Sequence, residues 1–270
     1  FTKQGMDIFW GGPEMQLVWR DFIRRPDLFS KGMTTEQFVK QMDEAGYEKV
    51  FIAALKMGSY RQRTLNMDYT NEMVYEEMKK FPDRLVGIAG YDPFYIMDSL
   101  KAIEKAVKEY GFKGIYVHSL GFGMGPDDRR LYPCYVKCIE LDIPFSMQIG
   151  HSFEALTSEP GRPINVDQVA LDFPELKFVG SHTGVPWAEE MIAMAWKHVN
   201  VYMGVDAHRP STLPPNVVQF MDSGRGRHKC LFGTNNTGLK LNKGELLALP
   251  IKDETKKAVL HDNAMRLYKL

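Results

Sequence analysis

The sequence has few cysteines and no excess of charge of either sign. Its three cysteines form no C-x-x-C pair, which argues against a disulfide framework or a cysteine-based zinc site and favours buried thiols. Lysine plus arginine and aspartate plus glutamate both number 34. Because no long run of like charges occurs, we expect no binding of nucleic acid.

Long apolar runs are also missing. No stretch approaches the roughly 20 apolar residues of a membrane span, and the sequence opens without a signal-peptide pattern. We therefore expect a cytoplasmic protein that binds a small-molecule substrate and no membrane. The apolar segments 9–33 and 187–196 are candidates for a homodimer or higher homo-oligomer interface.

What the sequence does contain is a regular alternation of short apolar runs and longer amphipathic segments. This pattern is typical of βα units and a parallel sheet. With 270 residues, 44% of them hydrophobic, the chain has the size of one α/β barrel. We predict a single TIM-type (β/α)8 barrel domain over residues 1–270. The eight predicted strands are 6–10, 49–54, 85–89, 114–117, 143–148, 176–181, 199–205 and 229–232.

Polar side chains follow five of these runs. In an α/β barrel the carboxyl ends of the strands form the active face, so residues at those positions are candidates for chemistry. Four of the seven histidines fall there. The candidates are His118, Gln148, His151, His182, Asp206, His208 and Asn235. Any single one of these histidines could instead only hydrogen-bond a neighbouring loop.

Histidine is the side chain best suited to proton transfer near neutral pH. Asp206 and His208 are two residues apart and would address the same cavity from an extended segment, where Asp206 could orient an imidazole. Arg162 lies between glycine and proline residues in a stiffened loop. Its guanidinium could bind a substrate carboxylate, although a surface ion pair is the alternative for any exposed arginine.

Several motifs resemble the amidohydrolase-related family that includes aminocarboxymuconate semialdehyde decarboxylase and the resorcylate-type decarboxylases. The resemblance extends from about residue 34 to the end of the sequence. It is carried by the motifs 42–46 (MDEAG), 81–87 (FPDRLVG), 170–177 (ALDFPELK), 181–187 (SHTGVPW), 196–202 (WKHVNVY) and 231–235 (LFGTN).

The resemblance implies a divalent metal bound by an H-x-H pair on the first strand, histidines after the fifth and sixth strands, and an aspartate after the eighth. In this sequence Phe9 and Gly11 stand at the H-x-H positions, Gln148 at the fifth strand and Asn235 at the eighth. Only His182 matches. Since Phe, Gly, Gln and Asn do not make a zinc or manganese site, we expect no metal and no other cofactor. Two alternatives stay open: the true first strand could lie upstream of residue 1, or histidines 118, 151, 182 and 208 with Asp206 could form a different site for a divalent metal such as zinc.

We therefore predict a metal-independent hydrolase or carboxy-lyase. Its substrate would be a small carboxylated or cyclic carbonyl compound, which it would either hydrolyse or cleave at a carbon–carbon bond, including by decarboxylation. His182 would be the general acid or base, with His151 or His208 as its partner and Asp206 as an orienting group. Gln148 and Asn235 would donate hydrogen bonds to a substrate oxygen. The predicted substrate-binding residues are His118, Gln148, Arg162, Asn235, Phe9 and Trp10. The alternatives are a metal-dependent enzyme and a non-catalytic ligand-binding barrel.

Overall fold

The computed structural model describes residues 1–18, 32–59, 62–235 and 238–270. Seven parallel strands form one sheet in the order β1-β4-β5-β6-β7-β8-β9. They are β1 (Val50–Ala53), β4 (Leu85–Gly90), β5 (Ile115–Val117), β6 (Phe145–Gln148), β7 (Phe178–Ser181), β8 (Val201–Val205) and β9 (Cys230–Phe232). The remaining two strands, β2 (Leu55–Gly58) and β3 (Leu65–Tyr69), pair separately as an antiparallel hairpin.

Helices separate successive strands of the parallel sheet, as expected for βα units. The helices of the described residues are α1 (Lys3–Gly11), α2 (Pro13–Leu17), α3 (Thr35–Ala45), α4 (Asn71–Met78), α5 (Ile96–Lys108), α6 (Ser119–Phe122), α7 (Tyr132–Glu140), α8 (Val166–Asp172), α9 (Ala188–Lys197), α10 (Pro215–Met221), α11 (Leu239–Ala248), α12 (Asp253–Lys257) and α13 (Asn263–Tyr268). A π-helical turn, Ala258–Asp262, joins the last two.

The sheet has a different apolar cluster on each face because successive side chains of a strand point to opposite sides. On the outer face, Ile115, Phe145 and Phe178 belong to the main core with the surrounding helices. On the inner face, Tyr116 and Val179 belong to a second cluster that also contains Tyr268 of α13. The α/β barrel class predicted from the sequence is therefore confirmed.

The first predicted strand is wrong, because residues 6–10 lie within α1. The side chain of Thr2 accepts a hydrogen bond from the amide of Gly5 and caps the helix. Met6, Phe9 and Trp10 recur at i, i+3 and i+4, which is the period of a helix and not of a strand. Among the described residues the parallel sheet accordingly has seven of the eight predicted strands.

The hairpin β2–β3 follows β1 and packs with α1 and α2. Met15, Met57 and Met67 form a buried cluster here, with Phe9 and Trp10 packed against it. The fully buried Glu14 of α2 accepts hydrogen bonds from Ser59 Oγ and Asn66 Nδ2, each at 2.7 Å. This unit lies beside the loop that follows β6.

No helix in the described ranges is long and apolar enough to cross a bilayer. Of the segment 9–33 suggested as an oligomer interface, residues 19–31 lie outside the described residues. In the second suggested segment, Trp196 has 60% of its surface exposed. The homo-oligomer stays a prediction.

Candidate active site

The site lies at the carboxyl ends of four neighbouring strands. His118 follows β5, Gln148 ends β6, His182 follows β7 and Asp206 follows β8. The strands are in register, with Val117 opposite Met147 and Gln148 opposite Ser181. The fold therefore brings together four of the residues predicted from strand-end positions.

His118 is held on both ring nitrogens by the protein itself. Its Nδ1 accepts a hydrogen bond from the amide of Gly121 at 3.3 Å, so Nε2 carries the proton of the neutral ring. Nε2 lies 3.1 Å from Oε1 of Glu154. His118 was predicted to bind substrate, but in this structure the ring has no nitrogen left for a ligand.

Glu154 belongs to the loop after β6 and is nearly as buried as His118, with 7% of its side chain exposed against 4% for His118. Its Oε2 accepts a hydrogen bond from Ser152 Oγ at 2.9 Å. Burial raises the pKa of Glu154, but the electrostatic attraction and hydrogen bond of the His118 Nε2–H group, together with the hydrogen bonds from the backbone and Ser152, outweigh it and lower the pKa to about 2. The carboxyl group is therefore ionised at neutral pH.

His182 lies in a turn with unusual backbone conformation. Its φ is 71°, and the next two residues, Thr183 and Gly184, have φ of 65° and 82°. The left-handed region is unfavourable for a β-branched residue such as Thr183. Hydrogen bonds compensate in part: the amide of Thr183 donates to the carbonyl of Gly204 at 2.9 Å. The turn aims the His182 ring toward Tyr116, with ring centroids 6.4 Å apart.

Asp206 holds this turn in place. Its Oδ1 accepts a hydrogen bond from the backbone amide of His182 at 2.5 Å. A Cβ atom at Gly204 would lie 2.8 Å from that oxygen, and one at Gly233 would lie 2.7 Å from the Cβ of Asp206. Both positions therefore require glycine. Asp206 was predicted to orient an imidazole, and the hydrogen bond in the structure goes instead to the main chain of His182.

His151 and His208 face each other at the rim, with ring centroids 5.8 Å apart and the planes at 69°. His151 is exposed and His208 is half-buried. A cavity of about 400 Å³ opens beside His151 and is also lined by Leu17, Val18, Ser152 and Phe153. A small ligand in this cavity would contact His151 directly.

Two of these imidazoles are neutral at neutral pH. Burial lowers the pKa of His182, and the nearby carboxylates of Asp206 and Glu154 oppose this only in part. Burial also lowers the pKa of His208, and the neighbouring rings of His151 and His182 lower it further. Each neutral ring has one nitrogen that can take up a proton.

Gln148 has a buried acceptor without a partner among the described residues. The residue is 3% exposed, and its Oε1 has no hydrogen-bond partner within the described part of the chain. A buried polar atom that stays unpaired costs about 1–3 kcal/mol. Gln148 was predicted to donate to a substrate oxygen, whereas the structure offers its oxygen as an acceptor.

Two other predicted substrate-binding residues are Arg162 and Asn235. Arg162 forms a two-pronged ion pair with Glu190 and stacks on Trp187, with its guanidinium carbon 5.0 Å from the ring centroid. In the structure its guanidinium is thus paired with a carboxylate of the protein itself. Asn235 is exposed, with φ of 46°.

Phe9 and Trp10 do not lie on a strand of the sheet. Both belong to α1, where their rings meet edge to face at 4.8 Å and pack on the methionine cluster under the hairpin. Packing of α1 on the methionine cluster accounts for the apolar side chains at positions 9 and 10 as well as a contact with substrate would.

Sequence reasoning missed Glu154. It lies in an irregular loop, not at a strand end, and nothing local in the sequence distinguishes it from exposed acidic residues such as Glu159. The one available signal is its place in the loop after the fifth predicted strand, which reaches the active face of a barrel.

The donor set for a metal was tested on the described residues. They contain no group of three or more His, Cys, Asp or Glu side chains that could hold a metal ion. The alternative in which histidines 118, 151, 182 and 208 converge with Asp206 on a metal is therefore wrong for this structure. The His118 ring is in addition blocked on both nitrogens.

The comparisons with known proteins agree with the fold. Residues 51–270 match the family model described as amidohydrolase, whereas no curated protein matches. An uncharacterized TIM-barrel protein of Bordetella bronchiseptica is 27% identical, with a TM-score of 0.74 over 86% of this chain and 81% of that one. The family resemblance predicted from the motifs is confirmed.

Two decarboxylases share the fold at lower identity. The 5-carboxyvanillate decarboxylase of Novosphingobium aromaticivorans, with manganese and 4-hydroxy-3-methoxy-5-nitrobenzoic acid, is 16% identical and has a TM-score of 0.73 over 100% of this chain and 93% of that one. A dihydroxybenzoic acid decarboxylase of Polaromonas, with manganese and the inhibitor 2-nitroresorcinol, is 17% identical, with a TM-score of 0.68 over 100% and 94%.

The bound manganese of these two enzymes contradicts one prediction. The replaced ligand positions led to the expectation that no metal cofactor is used, and enzymes with the same fold are crystallised with manganese.

Proposed function

This chain belongs to the amidohydrolase family, and from this premise we propose that it is a carboxy-lyase that removes a carboxyl group from a small hydroxylated aromatic or related cyclic acid. The proposal is supported by one observation above all. Three imidazoles, of His151, His182 and His208, lie at the carboxyl edge of a barrel whose structural neighbours include two decarboxylases of hydroxylated aromatic acids.

The imidazoles suit the binding of a carboxylate. A negative charge beside an imidazole favours the imidazolium form and raises its pKa. Because burial keeps His182 and His208 neutral in the free protein, binding of a carboxylate would be coupled to the uptake of one proton from solvent. The bound complex would then contain the acid that the reaction needs.

In the bond-breaking step, the imidazolium of His182 gives its proton to the carbon that carries the carboxylate. The carbon–carbon bond then breaks, its electron pair stays with the ring carbon, and carbon dioxide leaves. The neutral imidazole regains a proton when the next substrate binds. His208 and His151 would share the charge of the carboxylate, and Asp206 would hold His182 through its backbone amide.

Gln148 would recognise the rest of the substrate. Its unpartnered Oε1 calls for a hydrogen-bond donor such as a ring hydroxyl. A ligand that supplies this donor satisfies a buried acceptor, whereas one with a methoxy group at the same place does not.

The manganese of the related enzymes leads us to expect a divalent cation in this protein as well. The described residues do not supply three of the usual ligand side chains at one point, so the cation would need other donors, and its ligands are best found by experiment. The direct test is the metal content of protein purified without chelator, together with the thermal midpoint measured with and without added manganese chloride.

The activity test is a panel of dihydroxybenzoates and 5-carboxyvanillate, with and without manganese, in which released carbon dioxide is measured. We expect release by the wild type and at least hundredfold less by His182→Ala. A parallel panel of lactones reports hydrolysis. Acid release from lactones without carbon dioxide from any carboxylate would replace the proposal with hydrolysis, and ligand-induced stabilisation without any turnover would replace it with a binding protein.

A further inference from the structure

The loop after β6 carries His151 over the mouth of the barrel, and its attachment points decide where that ring stands. At its base, the amide of His151 donates to the carbonyl of Val185 at 2.7 Å. Toward α2, the amide of Ala155 reaches the carbonyl of Glu14 at 3.4 Å, which is long for a hydrogen bond. The amide of Gly150 also donates to the carbonyl of Gly161 at 2.8 Å, and Leu156 packs against the methionine cluster. None of these contacts connects the loop to β5.

The side-chain contact that connects the middle of the loop to β5 is the buried pair of His118 and Glu154. Nε2 of His118 donates to Oε1 of Glu154, and Ser152 Oγ donates to Oε2. The His118 ring cannot turn away, because its Nδ1 is engaged by the amide of Gly121 at the start of α6. The carboxylate thus connects the loop to the end of a different strand, β5.

We propose that Glu154 is a positioning residue that, through His118, holds the loop of residues 149–163 in the conformation that places His151 opposite His208. The inference builds on the proposed function, since it concerns an imidazole of the same site. Its physical basis is burial: the carboxylate of Glu154 and the imidazole of His118 exclude water, so neither can exchange its partner for solvent, and the loop is held at this point.

The test is hydrogen exchange of peptides that cover residues 149–163, measured on the whole chain. In Glu154→Ala we expect about hundredfold faster exchange in these peptides and little change in β7 and β8, because loss of one member of a buried pair leaves the other unpaired. In Glu154→Gln the amide oxygen still accepts from His118 but the charge is lost, and we expect exchange intermediate between wild type and Glu154→Ala. The matched control is Glu159→Ala, an exposed carboxylate of the same loop, with wild-type exchange.

Unchanged loop exchange in Glu154→Ala, or an equal rise over the whole barrel, would overturn the inference. If Glu154→Ala does not fold, the measurement is made on Ser152→Ala, which removes one hydrogen bond to the carboxylate. There we expect exchange about three times faster in the same peptides, and no rise would equally overturn the inference.

A second readout separates positioning from stability alone. With the acid that the wild type decarboxylates best, Glu154→Ala should lower kcat by at least tenfold and raise KM, and Glu154→Gln should restore most of kcat. The exchange experiment needs no substrate. If no acid is decarboxylated, the proposed function fails while the positioning of the loop by Glu154 still stands or falls on exchange.

Discussion

The two ends of the barrel differ in whether a buried polar side chain has hydrogen-bond partners within the protein. At the amino end, Lys229 Nζ donates to the carbonyls of His198, Val199 and Val201, and its ammonium lies 4.6 Å from the ring centroid of Tyr202. At the carboxyl end, the acceptor of Gln148 has no partner among the described residues. The amino end satisfies its polar groups internally, and the carboxyl end leaves capacity for a ligand.

The same contrast holds for the backbone and the closing elements. Helix α13 closes the amino end: Tyr268 hydrogen-bonds Ser146 Oγ at 3.1 Å, and Asn263 Nδ2 donates to the carbonyl of Cys230 at 2.7 Å. At the carboxyl end, His182 and Thr183 adopt the left-handed region, which costs on the order of 1–3 kcal/mol per residue. Stability is concentrated at one end and site geometry at the other, as is usual for α/β barrels.

The largest effect should come from Tyr268 at the amino end. Tyr268→Ala removes a ring that fills the inner face of the sheet and contacts Phe51, with centroids 4.4 Å apart. We expect the free energy of unfolding to fall by about 3–5 kcal/mol in urea titrations. Tyr268→Phe keeps the ring and should cost about 1 kcal/mol. Equal losses in both variants would contradict a packing role.

Lowering the pH should reduce the free energy of unfolding, because it protonates Glu154 at the carboxyl end of the barrel. Its pKa is about 2 in the folded protein and 4.5 in the unfolded chain, so its contribution is complete above about pH 5 and is lost as the pH falls toward 2. At about 1.4 kcal/mol per unit, this amounts to about 3 kcal/mol. The measurement is the unfolding free energy of wild type and Glu154→Gln between pH 6 and pH 3.5. A difference between them that does not shrink on acidification would refute this account.

Substitution of His182 should lower the activity with little effect on the stability of the protein. His182→Ala removes the imidazole but keeps the backbone amide that binds Asp206. We expect carbon dioxide release to fall about hundredfold, equivalent to about 2.7 kcal/mol, while the thermal midpoint changes little. Activity within threefold of wild type would remove His182 from the proposed mechanism.

The smallest effect on the free energy of unfolding should come from Gln148. Its substitution should stabilise the protein, whereas substitution of Tyr268 at the amino end should destabilise it. Gln148→Leu removes the unpartnered acceptor and should raise the unfolding free energy by about 1 kcal/mol. The same change should weaken binding of a 2-hydroxybenzoate while leaving binding of its 2-methoxy analogue unchanged. Equal effects on both ligands would show that Oε1 does not select for a donor.

The barrel class, the family and most strand ends can be predicted from the sequence. Seven of the eight predicted strands lie in the parallel sheet of the described residues, because a buried parallel strand is a continuous apolar run bounded by turn residues, which is a local signal. Strand-end position alone placed His118, Gln148, His182 and Asp206 at one edge, since parallel strands share their carboxyl ends. The run 6–10 failed because a short apolar segment has the same composition in a strand and in a buried helix.

Tertiary structure alone decided which of these groups are free to act. His118 is engaged by Glu154, and Arg162 by Glu190, through residues 36 and 28 positions away in the chain. Asp206 binds a main-chain amide, and no sequence pattern distinguishes that from an imidazole contact. Hydrogen bonds form between groups that the fold brings within about 3 Å, and local sequence does not encode such distances. Residue types were therefore readable from the chain, and their partners only from the folded molecule.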